Sequence, residues 1–162
     1  MESELKMSRG GFPPLSARGC VQSLTPIKLG NFHRTINGKL IYNTPTGSKK
    51  YCSRIVCHDK SAFASEGLWV GEEVGVACIQ RLIQKFSGSK VNLERIPVNG
   101  SVKVIAAAKT ELKVVERKVV FERPAEGFIS YRPVLQMRIT DMQLKTDEWG
   151  LKAQWQLDLE EI

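Results

Sequence analysis

The stretch EEVGVACIQRLIQKFSGS, residues 72–89, decides how the chain is read, because its apolar residues repeat at helical spacing. Val74, Ala77, Cys78 and Leu82, with Ile79, Ile83 and Phe86 beside them, form a wide apolar stripe opposite Gln80, Arg81, Gln84 and Lys85. Glu72 and Glu73 suit the positive end of a helix dipole, Lys85 suits the negative end, and Ser87-Gly88-Ser89 follows as a stop. The pattern predicts one main α-helix over 72–86. Ahead of it, Gly67, Gly71 and Gly75 stand four apart, which raises the question of a phosphate-cradling loop. Two carboxylates occupy the place where the anion would lie, and the G-x-x-x-x-G-K-[ST] pattern is absent. The glycines therefore read as turn and close-packing residues around a buried Trp69.

Downstream the period changes from helical to alternating. LQMRI places Leu135, Met137 and Ile139 on one side, and LKAQWQLDL places Leu151, Ala153, Trp155, Leu157 and Leu159 on one side, with TDEWG as the turn between. The phase slips at Thr140-Asp141-Met142, where a bulge is expected. VKVIAAA and LKVVERKVVF read as two more strands, although the valine run also suits a buried helix segment. Upstream, INGKLIY and YCSRIVC read as a strand pair around the turn chemistry of NTPTGSKK. The expected fold is α+β: an antiparallel β-sheet packed on one main α-helix, with an extended N-terminal arm. Residues 1–35 form that basic, proline-containing arm, and residues 36–162 a single globular domain.

The chain has 162 residues, 42% hydrophobic, enough for one domain's core. No run approaches the roughly 18 apolar residues of a membrane span, and MESELKMSRGG lacks a signal peptide's apolar segment, so a cytosolic protein is expected. On that expectation Cys20, Cys52, Cys57 and Cys78 read as free thiols. The net charge of +7 is uneven: residues 1–60 hold ten Lys/Arg against three acids, and residues 124–162 hold four against seven. A basic half beside an acidic end points to an anionic partner; head-to-tail contact between copies, or plain solubility, would also account for it.

Enzyme chemistry finds little to build on. Cys57-His58-Asp59 has the residue types of a nucleophile site, but neighbours on a strand point to opposite faces. Cys52, Cys57 and His58 do not follow a zinc-finger or ribbon spacing. Catalytic residues, metal ligands and cofactors are not expected. Phe32-His33-Arg34, Tyr42, Tyr51 and Arg54 offer some of the aromatic and cationic interleaving of a single-strand nucleic-acid platform, without a known motif around them. In the arm, Phe12-Pro13-Pro14-Leu15 is pre-set to an extended conformation with an apolar residue at each end, either a docking peptide or a spacer. Lys49 and Lys50, with Arg54 nearby, make a basic tip.

The order of basic arm, strand pair, central helix and strand-rich end resembles the matrix proteins of rhabdoviruses, particularly the short ones of plant-infecting members. The local likeness lies in LWVGEEVGVACIQRLIQKFSGSKVNL, residues 68–93, similar to that family's aromatic-aliphatic-glycine entry, helix and small-residue exit. The resemblance implies a virion protein of the host cytoplasm and the cytoplasmic face of membranes. It would self-associate and bridge the viral nucleocapsid to the inner, anionic leaflet during budding, with RNA a further candidate partner. Phe12, Pro13, Pro14 and Leu15 are then the expected self-association segment, and Arg9, Arg18, Lys49, Lys50 and Arg54 the expected membrane- or nucleocapsid-binding residues. Neither a P-P-x-Y nor a P-[TS]-A-P budding motif is present, since Leu15 follows Pro14. The alternative is a small basic nucleic-acid-binding protein acting through backbone contacts.

Overall fold

Residues 72–92 form two strands and no helix. In the computed structural model, which describes residues 3–45, 47, 49–105 and 111–162, β6 (Glu73–Ala77) is followed by β7 (Leu82–Asn92), and no helix occurs among the described residues. The α+β expectation is thereby corrected to an all-β fold. The reason lies in the spacing of Val74, Cys78, Leu82 and Phe86: four residues is close to a helical turn and also an even number, so both periods accept it. Val76 separates them. It falls off the helical stripe, yet it is fully buried together with Val74 and Cys78, as alternation requires. On β7, Phe86 is likewise buried while Ile83 is exposed. Gly75 would cost a helix about 1 kcal/mol relative to alanine. In the sheet it admits a neighbour instead: its N–H donates to Ser8 Oγ and its carbonyl accepts from Ser8 N–H, both at 2.8 Å.

Six strands make the larger antiparallel sheet, in the order β1 (Lys6–Met7), β6, β11 (Val134–Thr146), β12 (Ala153–Glu161), β5 (Tyr51–Asp59) and β2 (Val21–Pro26). The β11–β12 hairpin pairs as its alternation predicts, with a register shift between Ile139 and Asp141. Its inward residues Leu135, Met137, Ile139, Ala153, Trp155, Leu157 and Leu159 are buried. The smaller sheet joins β7, β10 (Lys118–Tyr131) and β8 (Lys103–Ile105), with β9 (Leu112–Val115) also on β10. It closes over its own core, where Phe86 and Phe121 stack at 4.7 Å. The later residues of VKVIAAA, 106–108, lie outside the described residues.

The N-terminal segment belongs largely to the body. β1 pairs with β6 and β2 with β5. Between them the chain crosses the core face, where Phe12 stacks on Trp155 at 5.7 Å and the indole N–H donates to the Ser16 carbonyl at 2.8 Å. Of the described residues up to β5, the connection between β2 and β5 leaves the body. It holds β3 (Asn31–Arg34) and β4 (Leu40–Asn43), which pair with each other and pack against no other strand. The expected pairing across NTPTGSKK is corrected accordingly: β4 turns back on β3, and β5 pairs with β2 and β12. Trp69, expected to be buried among its glycines, is 72% exposed.

Candidate functional site

The projecting β3–β4 ribbon arises from local chemistry. The β2–β5 ladder ends at Pro26 opposite Tyr51 and gains one further bond, Ile27 N–H to the Lys50 carbonyl at 2.8 Å. At Gly30 the strands come so close that a Cβ would fall 2.0 Å from the Asn43 carbonyl oxygen, so only glycine fits. Asn37-Gly38 closes the far end, with Gly38 at φ +77°, donating to the Thr35 carbonyl at 2.8 Å. Phe32 and Tyr42 sit opposite each other and stack at 4.4 Å, and Tyr42 Oη accepts from Gly30 N–H at 3.1 Å.

What this ribbon presents to solvent is unusual for a small domain. Phe32 and Leu40 are more than half exposed, and Ile36 at the tip is fully so, alongside Lys28, Arg34, Lys39 and His33. No Asp or Glu occurs anywhere between residues 5 and 58. Among the described residues no carboxylate ion-pairs with Lys28, Arg34 or Lys39; the Arg34 guanidinium donates only to the Gly38 carbonyl, at 2.9 Å.

The five cations expected to form a binding site are dispersed, and each already has an acceptor. Arg18 lies at the other end of β5, gripping Asp59 through its guanidinium at 2.8 Å and its backbone N–H at 2.9 Å. Those hydrogen bonds hold the Asp59 carboxyl well below the usual carboxylate range. Arg54 pairs with Asp158 at 2.8 Å in mid-sheet, and Arg9 with Glu72 at 3.5 Å. Lys49 and Lys50 stand at the ribbon's stem, where they reach Glu94 and the Ile162 carbonyl. With Arg117 they line a pocket of about 360 Å³. Of the expected self-association segment, Phe12 is spent on Trp155, whereas Pro13, Pro14 and Leu15 are exposed.

The stem is anchored by a buried ion pair. Arg95 donates to both Glu161 carboxylate oxygens at 3.1 Å and to the Lys49 carbonyl at 2.7 Å, and lies over the Tyr51 ring at 4.7 Å. Tyr51 N–H donates to Glu161 at 2.9 Å. Burial alone would lower the Arg95 pKa; the Glu161 carboxylate outweighs it and leaves the pKa raised. Tyr51 thus serves the stem and is not part of an open stacking platform.

The Cys57-His58-Asp59 run offers no reacting centre. Cys57 is buried, its thiol pushed up by desolvation, and it donates to the Arg18 carbonyl at 3.4 Å; His58 lies exposed on the opposite face. All four cysteines are free thiols, and no cluster of metal-ligating side chains occurs among the described residues. Comparison with protein-family models, curated proteins and solved structures returns no match.

Proposed function

We propose that the chain is a non-enzymatic assembly protein of the matrix type, which self-associates and joins a ribonucleoprotein to the inner face of an anionic membrane. The β3–β4 ribbon is its membrane contact. One observation carries this reading: fully or largely exposed apolar side chains, Ile36 foremost, stand on the same projecting ribbon as Arg34 and Lys39, with Lys28 at its base, all three cations without ion pairs among the described residues. A phosphate backbone has no use for an aliphatic tip, whereas a headgroup layer attracts the cations and takes the apolar residues into the acyl boundary. The stretch that carried the likeness to rhabdovirus matrix proteins forms β6 and β7, so the reading rests on the ribbon and not on a central helix.

The second reading, a small basic nucleic-acid-binding protein, draws on Phe32 and Tyr42. Each ring gives one face to the other and keeps one for a base. Sedimentation with vesicles containing phosphatidylserine separates the two. The membrane reading expects binding to those vesicles and not to neutral ones, and a marked loss with Ile36→Ser. Binding insensitive to Ile36→Ser, together with tighter capture by single-stranded RNA that depends on Phe32, would replace it with the nucleic-acid reading.

A further inference from the structure

The end of the large sheet opposite the ribbon carries a second set of residues that the monomer does not use. β5 begins at the ribbon's stem and ends at Asp59, about 26 Å away at strand rise. Asp59 pairs with Ala153, which pairs with Thr146, so the turn at residues 147–152 projects from that far end. In it Trp149 is 89% and Leu151 90% exposed. The Pro13–Arg18 segment is fixed to the same end: the Leu15 carbonyl accepts from the backbone N–H groups of Lys60 and Ser61 at 3.1 Å, and Arg18 grips Asp59. Leu15 is 43% exposed. Behind it, running to β1, lies a groove of about 530 Å³ walled by Leu5, Met7, Phe12 and Pro13, with Lys6 at its side.

Two of these leucines also have left-handed backbones, Leu15 at φ 63° and Leu151 at φ 38°. A β-carbon makes that conformation unfavourable, and glycine or asparagine is its ordinary occupant. An aliphatic residue held exposed in a strained turn contributes nothing to this monomer's core.

We propose that this end is a self-association surface whose occupant is a second copy of the chain, related by a two-fold axis, each copy laying its Trp149 turn on its partner's Pro13–Leu15 ridge and groove. Charge favours that occupant. The turn at 147–152 carries Asp147 and Glu148 against Lys152 and is net negative, while Lys60 stands beside the Leu15 ridge and the neighbouring carboxylate Asp59 is already engaged by Arg18. Turn and ridge share one end of one molecule, so a two-fold pairing satisfies both contacts at once and closes. Each indole offers about 200 Å²; two indoles with Leu15 and Leu151 from both copies approach the ~1,000 Å² of a specific interface.

The consequence deepens the proposed function and rests on it in one respect only. A dimer joined at these ends points its two ribbons outward in opposite directions, which would let it bridge two anionic surfaces where a monomer would coat one. The dimer itself needs no polyanion, so it is tested alone, by light scattering on the eluting full chain across micromolar concentrations. The wild type is expected to dimerise, and Trp149→Ser with Leu151→Asn to raise the dissociation constant at least tenfold with an unchanged far-ultraviolet spectrum. Leu15→Asn, which keeps the left-handed backbone, should weaken it from the other side of the contact. A monomeric wild type, or a double variant that dimerises as before, overturns the proposal. Vesicle clustering is a separate readout: it should vanish in the double variant while vesicle binding survives. Absence of any vesicle binding would count against the ribbon and leave the dimer result standing.

Discussion

The body and the ribbon are built from the same residue types and use them in opposite ways. On the body, arginines meet carboxylates from distant parts of the chain, Arg18 with Asp59 and Arg54 with Asp158, and alternating hydrophobes are buried against Trp155. On the ribbon, Lys28, Arg34 and Lys39 face solvent without ion-pairing carboxylates among the described residues, and Ile36 and Phe32 are exposed. A cation that already has a partner stabilises; a cation held out on a projection is available to something else. The count of positive charges locates neither role, because the difference lies in where the carboxylates fall.

The contrast is broken most severely from the body side. Trp155→Ala removes the side chain on which Phe12 and Phe63 pack and should cost about 3–5 kcal/mol in chemical denaturation. Arg95→Ala, which leaves Glu161 buried without its partner, should cost a comparable ~3–5 kcal/mol and loosen the ribbon's stem, read as faster hydrogen exchange at Tyr51. Ile36→Ser should change stability by less than about 0.5 kcal/mol while lowering vesicle binding, the inverse profile. The acid limb sharpens the comparison further. Asp59 has its pKa depressed in the folded state, so its stabilisation is complete above the ordinary carboxylate pKa of about 3.9 and is lost as pH falls below it. Asp59→Asn should therefore be less stable at neutral pH and show a shallower loss of stability on acidification. At the far turn, Leu151→Asn relieves a left-handed leucine and should stabilise the monomer by about 0.5–1 kcal/mol.

Parts of this were legible in the sequence, for identifiable reasons. The β11–β12 hairpin and its bulge could be read because strict alternation admits no other period, and the bulge shows as a slip of phase at Thr140. Residues 72–86 misled because four-residue spacing satisfies helix and strand alike, and only Val76, flanked by β1 and β11, discriminates. The ribbon was half legible. Phe32, Arg34 and Tyr42 stand out by type, but Asn37-Gly38, a pair well suited to a hairpin turn, lies inside INGKLIY, whose alternation reads as a strand. The misassigned cations show a limit of local reasoning, since Arg54 and Asp158 are 104 residues apart and Arg18 and Asp59 are 41 apart. Nothing in the neighbourhood of either arginine announces its partner.

The central claim is that polyanion recognition belongs to the ribbon and not to net charge. It is tested most directly by measuring affinity for phosphatidylserine vesicles in two variants with equal charge change: Lys28→Glu with Arg34→Glu and Lys39→Glu on the ribbon, and Lys103→Glu with Lys113→Glu and Lys118→Glu on exposed positions of the smaller sheet. At roughly 1 kcal/mol per basic residue at the surface, the ribbon variant should bind on the order of 100-fold more weakly, with the smaller-sheet variant close to wild type. Equal losses in both would contradict the account and return the binding to the chain's overall charge.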